Sequence, residues 1–248
     1  MNYWKPIGVG RIIYILSFAA RYSCVRVSSS SPKSYICDLT PLLGDLVNSG
    51  PYVTPFLLSA VLAQAARYSD RLDAAELGAY FSQRTVNDMA VEIAKGSSIP
   101  TLQGMLIFAG LECTIGRSSQ GWLYLGMAIR MMQDMGIHIN NRKLIEGQFS
   151  QLELAMRQQI LWSCYTCDKA VSLCLGRAPM LHDTVPLPTA DSMLDGEDVE
   201  EEPWTPRFAT ISALESGVVQ KAKTNSRFVA YCQLCVVSKA KWEMRRGG

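Results

Sequence analysis

The stretch from Gly121 to His138 has little choice but to be a helix. Trp122, Leu125, Ile129 and Met132 fall at i, i+3, i+7 and i+10, one face of a 3.6-residue repeat. Gly136 follows the repeat, and glycine adopts the positive φ that a helix stop requires. Ser118 and Ser119 precede it and are expected to cap it, because a serine oxygen accepts an unpaired first-turn N–H. Leu123, Met127, Ala128 and Met131 make much of the remaining surface apolar, so this helix is expected to be central and covered on several sides. Arg130 and Asp134 stand four apart, the spacing of a same-face ion pair.

The same period governs most of the chain. Leu39, Leu42, Leu43, Leu46 and Val47 predict a helix broken by Asn48-Ser49-Gly50-Pro51. Thr54 as cap and Pro55 at the first helical position open the next, which ends near Tyr68. A helix follows from about Ala74 to Ala94. Thr101 is expected to cap another that carries Leu102, Met105, Leu106, Phe108 and Leu111 to about Ile115. Beyond a polar connection, Leu152, Met156, Ile160, Cys164, Cys167, Val171 and Cys174 mark a long helix, and a last helix is expected from about Asn225 to Trp242. No stretch alternates at period two for long. The expectation is all-α: an array of antiparallel helix pairs with short connections and no sheet. Ser28-Ser29-Ser30-Ser31-Pro32 reads as a linker, so residues 1–37 are assigned to a poorly defined N-terminal segment and residues 38–248 to one domain. Its 48% hydrophobic content suffices for one sizeable core.

Charge excludes more than it suggests. The net charge of +2 makes no global case for nucleic acid. The signs are segregated, with Asp191, Asp195, Glu197, Asp198, Glu200, Glu201 and Glu202 in one run and Lys221, Lys223, Arg227, Lys239, Lys241, Arg245 and Arg246 in the last segment. These read as a solvated acidic loop and a basic helix face. No run reaches the ~18 apolar residues of a membrane helix. Ile12 to Ala20, after Lys5 and Arg11, imitates a signal peptide but is short and lacks a small-x-small cleavage site.

Catalytic chemistry finds no foothold. The two histidines, His138 and His182, have no partner pattern, and no nucleophile elbow, phosphate-binding glycine loop or His-Glu-x-x-His occurs. His138 follows a helix end, where packing or a contact with the final carbonyls is expected. The chain is read as non-enzymatic. Eight cysteines, at 24, 37, 113, 164, 167, 174, 232 and 235, suggest a reducing compartment, most of them lying in apolar helical patterns as small hydrophobes. Cys164-x2-Cys167-x6-Cys174 copies half of a zinc-cluster spacing, and Cys232-x2-Cys235 a further piece. Against zinc, the three thiols share a helical seam with Val171, and the intervening residues are not the Lys and Arg of a DNA-reading cluster.

Four blocks carry a resemblance. They are Pro55-Phe56-Leu57-Leu58-Ser59-Ala60-Val61-Leu62-Ala63-Gln64-Ala65-Ala66-Arg67-Tyr68-Ser69, then Ser98 to Leu106, then Gly121 to His138, and finally Arg157, Leu161 to Tyr165, Asp168-Lys169 and Leu175-Gly176-Arg177-Ala178-Pro179. In combination they resemble the middle homology region of fungal zinc-cluster transcription factors, the fungal-specific transcription factor domain, over roughly residues 39–240. The family pattern usually runs Gly-Arg-Pro where Ala178 intervenes here. The residues matched to its motifs are Gly121, Trp122, Gly126, Arg130, Asp134, Gly136, His138, Arg157, Trp162, Asp168, Gly176, Arg177 and Pro179, for which a structural role is expected.

The resemblance implies a nuclear regulator of transcription by RNA polymerase II. It implies DNA and Zn(II) binding only through an N-terminal cluster, which Cys24 and Cys37 alone cannot build, so no catalytic or metal-ligating residue is assigned to this chain. It also implies that the chain stops short of the family's full C-terminal extent. Co-regulators, a small-molecule effector and a second copy of the chain are the partner classes it leaves open, with no membrane. The rival reading is a non-catalytic helical interaction scaffold unrelated to transcription; the lack of a fixed-period repeat counts against it.

Overall fold

The structure is a computed structural model, described for residues 25–27, 32–34, 52–67, 72–139, 149–181 and 229–237. The helix expected at 39–47, the acidic run at 191–202, Cys24, Cys37, His182 and most of the basic set lie outside the described residues. The helices are α1 (Pro55–Ala66), α2 (Ala74–Ala94), α3 (Ile99–Thr114), α4 (Ser118–Asp134) and α5 (Gln151–Leu175), with short turns between α2 and α3 and between α3 and α4, and α6 covers 229–237. The all-α expectation holds. Strands β1 (Val25–Val27) and β2 (Pro32–Ser34) add a two-stranded antiparallel ribbon with Val25 opposite Ser34.

Helix starts follow local chemistry, with two corrections. Thr54 Oγ1 accepts the Leu57 N–H at 3.1 Å, and Pro55 follows it as expected. The α3 cap is Ser98, not Thr101: its Oγ accepts the Thr101 N–H at 3.3 Å. Pro100 lacks the N–H that the first turn would leave unpaired anyway, so the helix begins before Thr101. Ser118 and Ser119 lie within the first turn of α4, which has no side-chain cap. Ser150 caps α5 by accepting the Glu153 N–H at 3.2 Å.

The core is built on α1 and α3. Nearly every α1 side chain from Phe56 to Ala66 is buried, as is α3 from Ile99 to Ala109, so both are covered on nearly every side and are mostly apolar. They touch closely at Gly104, where a Cβ would stand 3.3 Å from the Leu57 Cα and nearer still to the Phe56 ring. α2 packs on α1, and α4 packs on α3. A Cβ on Gly121 would stand 2.7 Å from the Ala109 carbonyl oxygen and collide with Cys113, so glycine sets the α3–α4 spacing. The expectation that α4 is central fails. Leu125, Ala128, Ile129, Met131 and Met132 are buried, but Trp122 is half-buried and Leu123 is 58% exposed. α4 is an outer layer, and α5 covers part of it.

Candidate functional site

The residues matched to family motifs gather where α4 and α5 pack together. Two polar contacts tie α4 to α5 and the turn after it, and their positions make the two helices antiparallel; a third folds the segment after α5 back onto it. Early in α5, Arg157 Nη2 donates to the Met135 carbonyl at 2.7 Å, at the C-terminal end of α4. That carbonyl belongs to the negative end of the helix dipole, which favours a cation. The guanidinium also lies 4.2 Å from the Phe149 ring centroid. Partial burial lowers the Arg157 pKa, partly offset by Glu153. Just past α5, Arg177 reaches the other end of α4. Its guanidinium stacks 4.7 Å from the Trp122 ring centroid, and Nη2 donates to Ser119 Oγ at 3.3 Å.

The third contact is buried. Asp168 Oδ1 accepts the Met180 N–H at 2.9 Å, and Oδ2 accepts the Leu181 N–H at 3.0 Å. Lys169 Nζ donates to Asp168 Oδ2 at 3.0 Å and to the Leu181 carbonyl, and sits 4.7 Å from the Tyr165 ring centroid. Asp168 is 2% exposed and Lys169 5%, so the charges are taken out of water together and compensate each other. The pair therefore folds the segment after Gly176 back onto α5.

Two glycines make these returns possible. Gly136 (φ 66°) and Gly176 (φ 64°) are left-handed, a conformation that a Cβ disfavours. After each, an N–H closes on the carbonyl five residues back: Ile137 to Met132 at 3.1 Å, and Arg177 to Ser172 at 3.0 Å. Pro179 is buried beyond the second turn, and Met180 lies against Gly126, where a Cβ would stand 3.5 Å from its sulfur. Ala178, the residue inserted relative to the family's usual Gly-Arg-Pro, is exposed.

Comparison with known proteins decides what this arrangement is. Residues 12–228 match the model of the fungal specific transcription factor domain. The chain belongs to this family. Among curated relatives of the fungal specific transcription factor domain family, a transcriptional regulatory protein of Schizosaccharomyces pombe is 32% identical over 55% of this chain and 22% of its own length. The nitrogen assimilation transcription factor nit-4 of Neurospora crassa is 30% identical over 56% of the chain and 12% of its own length. The nitrogen assimilation transcription factor nirA of Emericella nidulans is 27% identical over 75% of the chain and 21% of its own length. The chain thus spans no more than 22% of these three relatives. No solved structure matches.

Not every family-motif residue joins the clasp. Trp162 is a core residue, 1% exposed, packed edge-on to Tyr165 with centroids 5.2 Å apart. Arg130 and Asp134 are exposed, and Arg130 Nη1 donates to Gln133 Oε1 at 3.1 Å in place of the expected ion pair. His138 is exposed just after Gly136 and Ile137, not packed. Sequence reasoning passed over Ser119 as an Arg177 partner and Lys169 as the partner of Asp168. Two adjacent charges on a helix that carries Trp162, Cys164 and Tyr165 were the available signal for the second.

The cysteines divide by environment. Cys164 and Cys232 are 0% exposed and Cys235 5%, whereas Cys174 is exposed, so the predicted seam ends before it. All six in the described residues are free thiols. Burial pushes the Cys164 thiol well up and the Cys232 thiol up to about 12. Among the described residues, no three His, Cys, Asp or Glu side chains converge to hold a metal ion. Among the same residues, no helix is long and apolar enough to cross a membrane.

Proposed function

We propose that this chain forms the regulatory, non-catalytic helical domain of a nuclear regulator of transcription by RNA polymerase II. The observation that carries this reading is the family match over residues 12–228, within which relatives are named as transcription factors and transcriptional regulatory proteins. DNA contact and Zn(II) belong, on this reading, to a separate module of the full regulator. The helical array contributes packing surfaces whose arrangement an effector or a co-regulator biases. The α4–α5 clasp keeps that array in one register.

A tethering experiment tests the reading. The full chain is fused to a heterologous DNA-binding domain upstream of a reporter in a fungal host, and its location is followed by fluorescence. Nuclear accumulation and a several-fold change in reporter output relative to the DNA-binding domain alone are expected, while the unfused chain shifts no duplex DNA. A fusion that folds, enters the nucleus and leaves the reporter unchanged under all nutrient conditions tried would refute a regulatory role.

A further inference from the structure

We propose that Cys113 and Cys174 form a reversible, peroxide-responsive disulfide that ties the end of α3 to the end of α5 across the start of α4. The topology brings the two thiols together. α3 is antiparallel to α4, since Cys113 and Ala109 meet Gly121 while Phe108 meets Tyr124. α5 is antiparallel to α4 in turn, so α3 and α5 run parallel, and they touch. Cys113 and Cys174 are each one residue from the C-terminal end of their helix. Both therefore lie at the same end of α4. The Cys113 sulfur rests on Gly121, in the first turn of α4, and Arg177, one turn on from Cys174, holds Ser119 and Trp122 of that same turn. Both are free thiols.

Their surroundings assign different roles. Cys174 is exposed and meets an oxidant first, whereas Cys113 is half-buried. Burial raises the Cys113 pKa, and the negative charges of Cys174 and Glu112 raise it further, so Cys113 keeps its proton while Cys174 reacts. The Cys174 thiolate attacks one oxygen of hydrogen peroxide; the O–O bond breaks, leaving a sulfenic acid and hydroxide. The Cys113 sulfur then attacks the Cys174 sulfur; the S–OH bond breaks, the S–S bond forms, and the Cys113 proton leaves with the hydroxyl as water. A thiol reductant reverses the bond, as suits a transient link in a reducing compartment. The bond reinforces the exposed Arg177 contact at this end of α4. It forms whether or not the chain acts in transcription.

Peptide mapping of the full chain after hydrogen peroxide treatment near neutral pH, with remaining thiols blocked, tests the assignment. A Cys113–Cys174 link within one chain is expected, dithiothreitol should restore both thiols, and the oxidised chain should melt roughly 4–16 °C higher than the reduced one. Cys113→Ser should form no such link and leave Cys174 as a sulfenic acid that dimedone traps; Cys174→Ser should leave Cys113 unoxidised under the same treatment. Circular dichroism melting of the reduced variants confirms folding, and Cys113→Ala replaces Cys113→Ser should that fail to fold. Cys174 linked to a different cysteine, links only between copies of the chain, or an unaltered chain that stops at the Cys174 sulfenic acid would each overturn the proposal.

Discussion

Replacing Asp168 by alanine should be among the most damaging single changes in this chain. The carboxylate accepts two backbone N–H groups, from Met180 and Leu181, and the Lys169 ammonium, at 2.9, 3.0 and 3.0 Å. Alanine leaves both N–H groups without that acceptor and strands an ammonium on a residue only 5% exposed. Removing one partner of a buried ion pair costs about 3–5 kcal/mol. For a chain of this size each kcal/mol lowers Tm by roughly 2–4 °C, so a fall of about 6–20 °C is expected. Urea unfolding followed by circular dichroism gives the free energy directly. The decisive comparison is Asp168→Ala/Lys169→Met, which removes the stranded charge along with its partner. This double variant should be more stable than Asp168→Ala alone, with a coupling energy of about 1–3 kcal/mol. A loss below about 1 kcal/mol for Asp168→Ala, or a double variant no better than the single, would show that the clasp does not depend on this pair.

Other positions give separate readings. Gly121→Ala should destabilise by about 1–3 kcal/mol in chemical denaturation, because its Cβ meets the Ala109 carbonyl oxygen at 2.7 Å, whereas Gly110→Ala, with nothing within 4 Å, should stabilise by about 0.4–1 kcal/mol. Arg177→Ala should cost about 1 kcal/mol and change Trp122 fluorescence, since a partly exposed guanidinium–indole contact is lost. Burial raises the Glu112 pKa above its usual 4.5 despite the opposing pull of Arg117. The folded state therefore holds that proton more tightly than the unfolded state, and the Glu112 contribution to stability is fullest below pH 4.5 and is lost as pH rises through the folded value. Glu112→Gln should remove that segment of the pH–stability curve. A thiol reagent at pH 7 should modify Cys174 first and spare Cys232, whose thiolate fraction with a pKa of about 12 is roughly 10⁻⁵, until the chain unfolds.

What the sequence could reveal depended on whether the cause was local. A cap, a glycine stop and a 3.6-residue repeat are properties of adjacent residues, so Thr54 with Pro55, the span of α2, and the stop at Gly136 could be read directly. Layering is not local. α4 looked central because Leu123 and Met127 widened its apolar face, yet only the packing partners decide which part of a face is covered. The high apolar content of α1 and α3 was the better sign of a core helix, since a helix with few polar residues has little surface to turn to water. The clasp divides in the same way. Asp168, Arg157 and Arg177 were legible as polar members of motifs, but their acceptors and donors are a carbonyl 22 residues away, a hydroxyl 58 away, and two amides 12 and 13 away. Backbone groups carry no residue-type signature, so no inspection of side-chain spacing could have named them. The spacing does explain why the motif spans α4 and α5 together: each arginine is useful only if the opposite end of α4 lies where the antiparallel turn puts it. A domain whose α4–α5 register rests on two partly exposed polar contacts can be loosened at the α4 ends while the α1–α3 core stays packed.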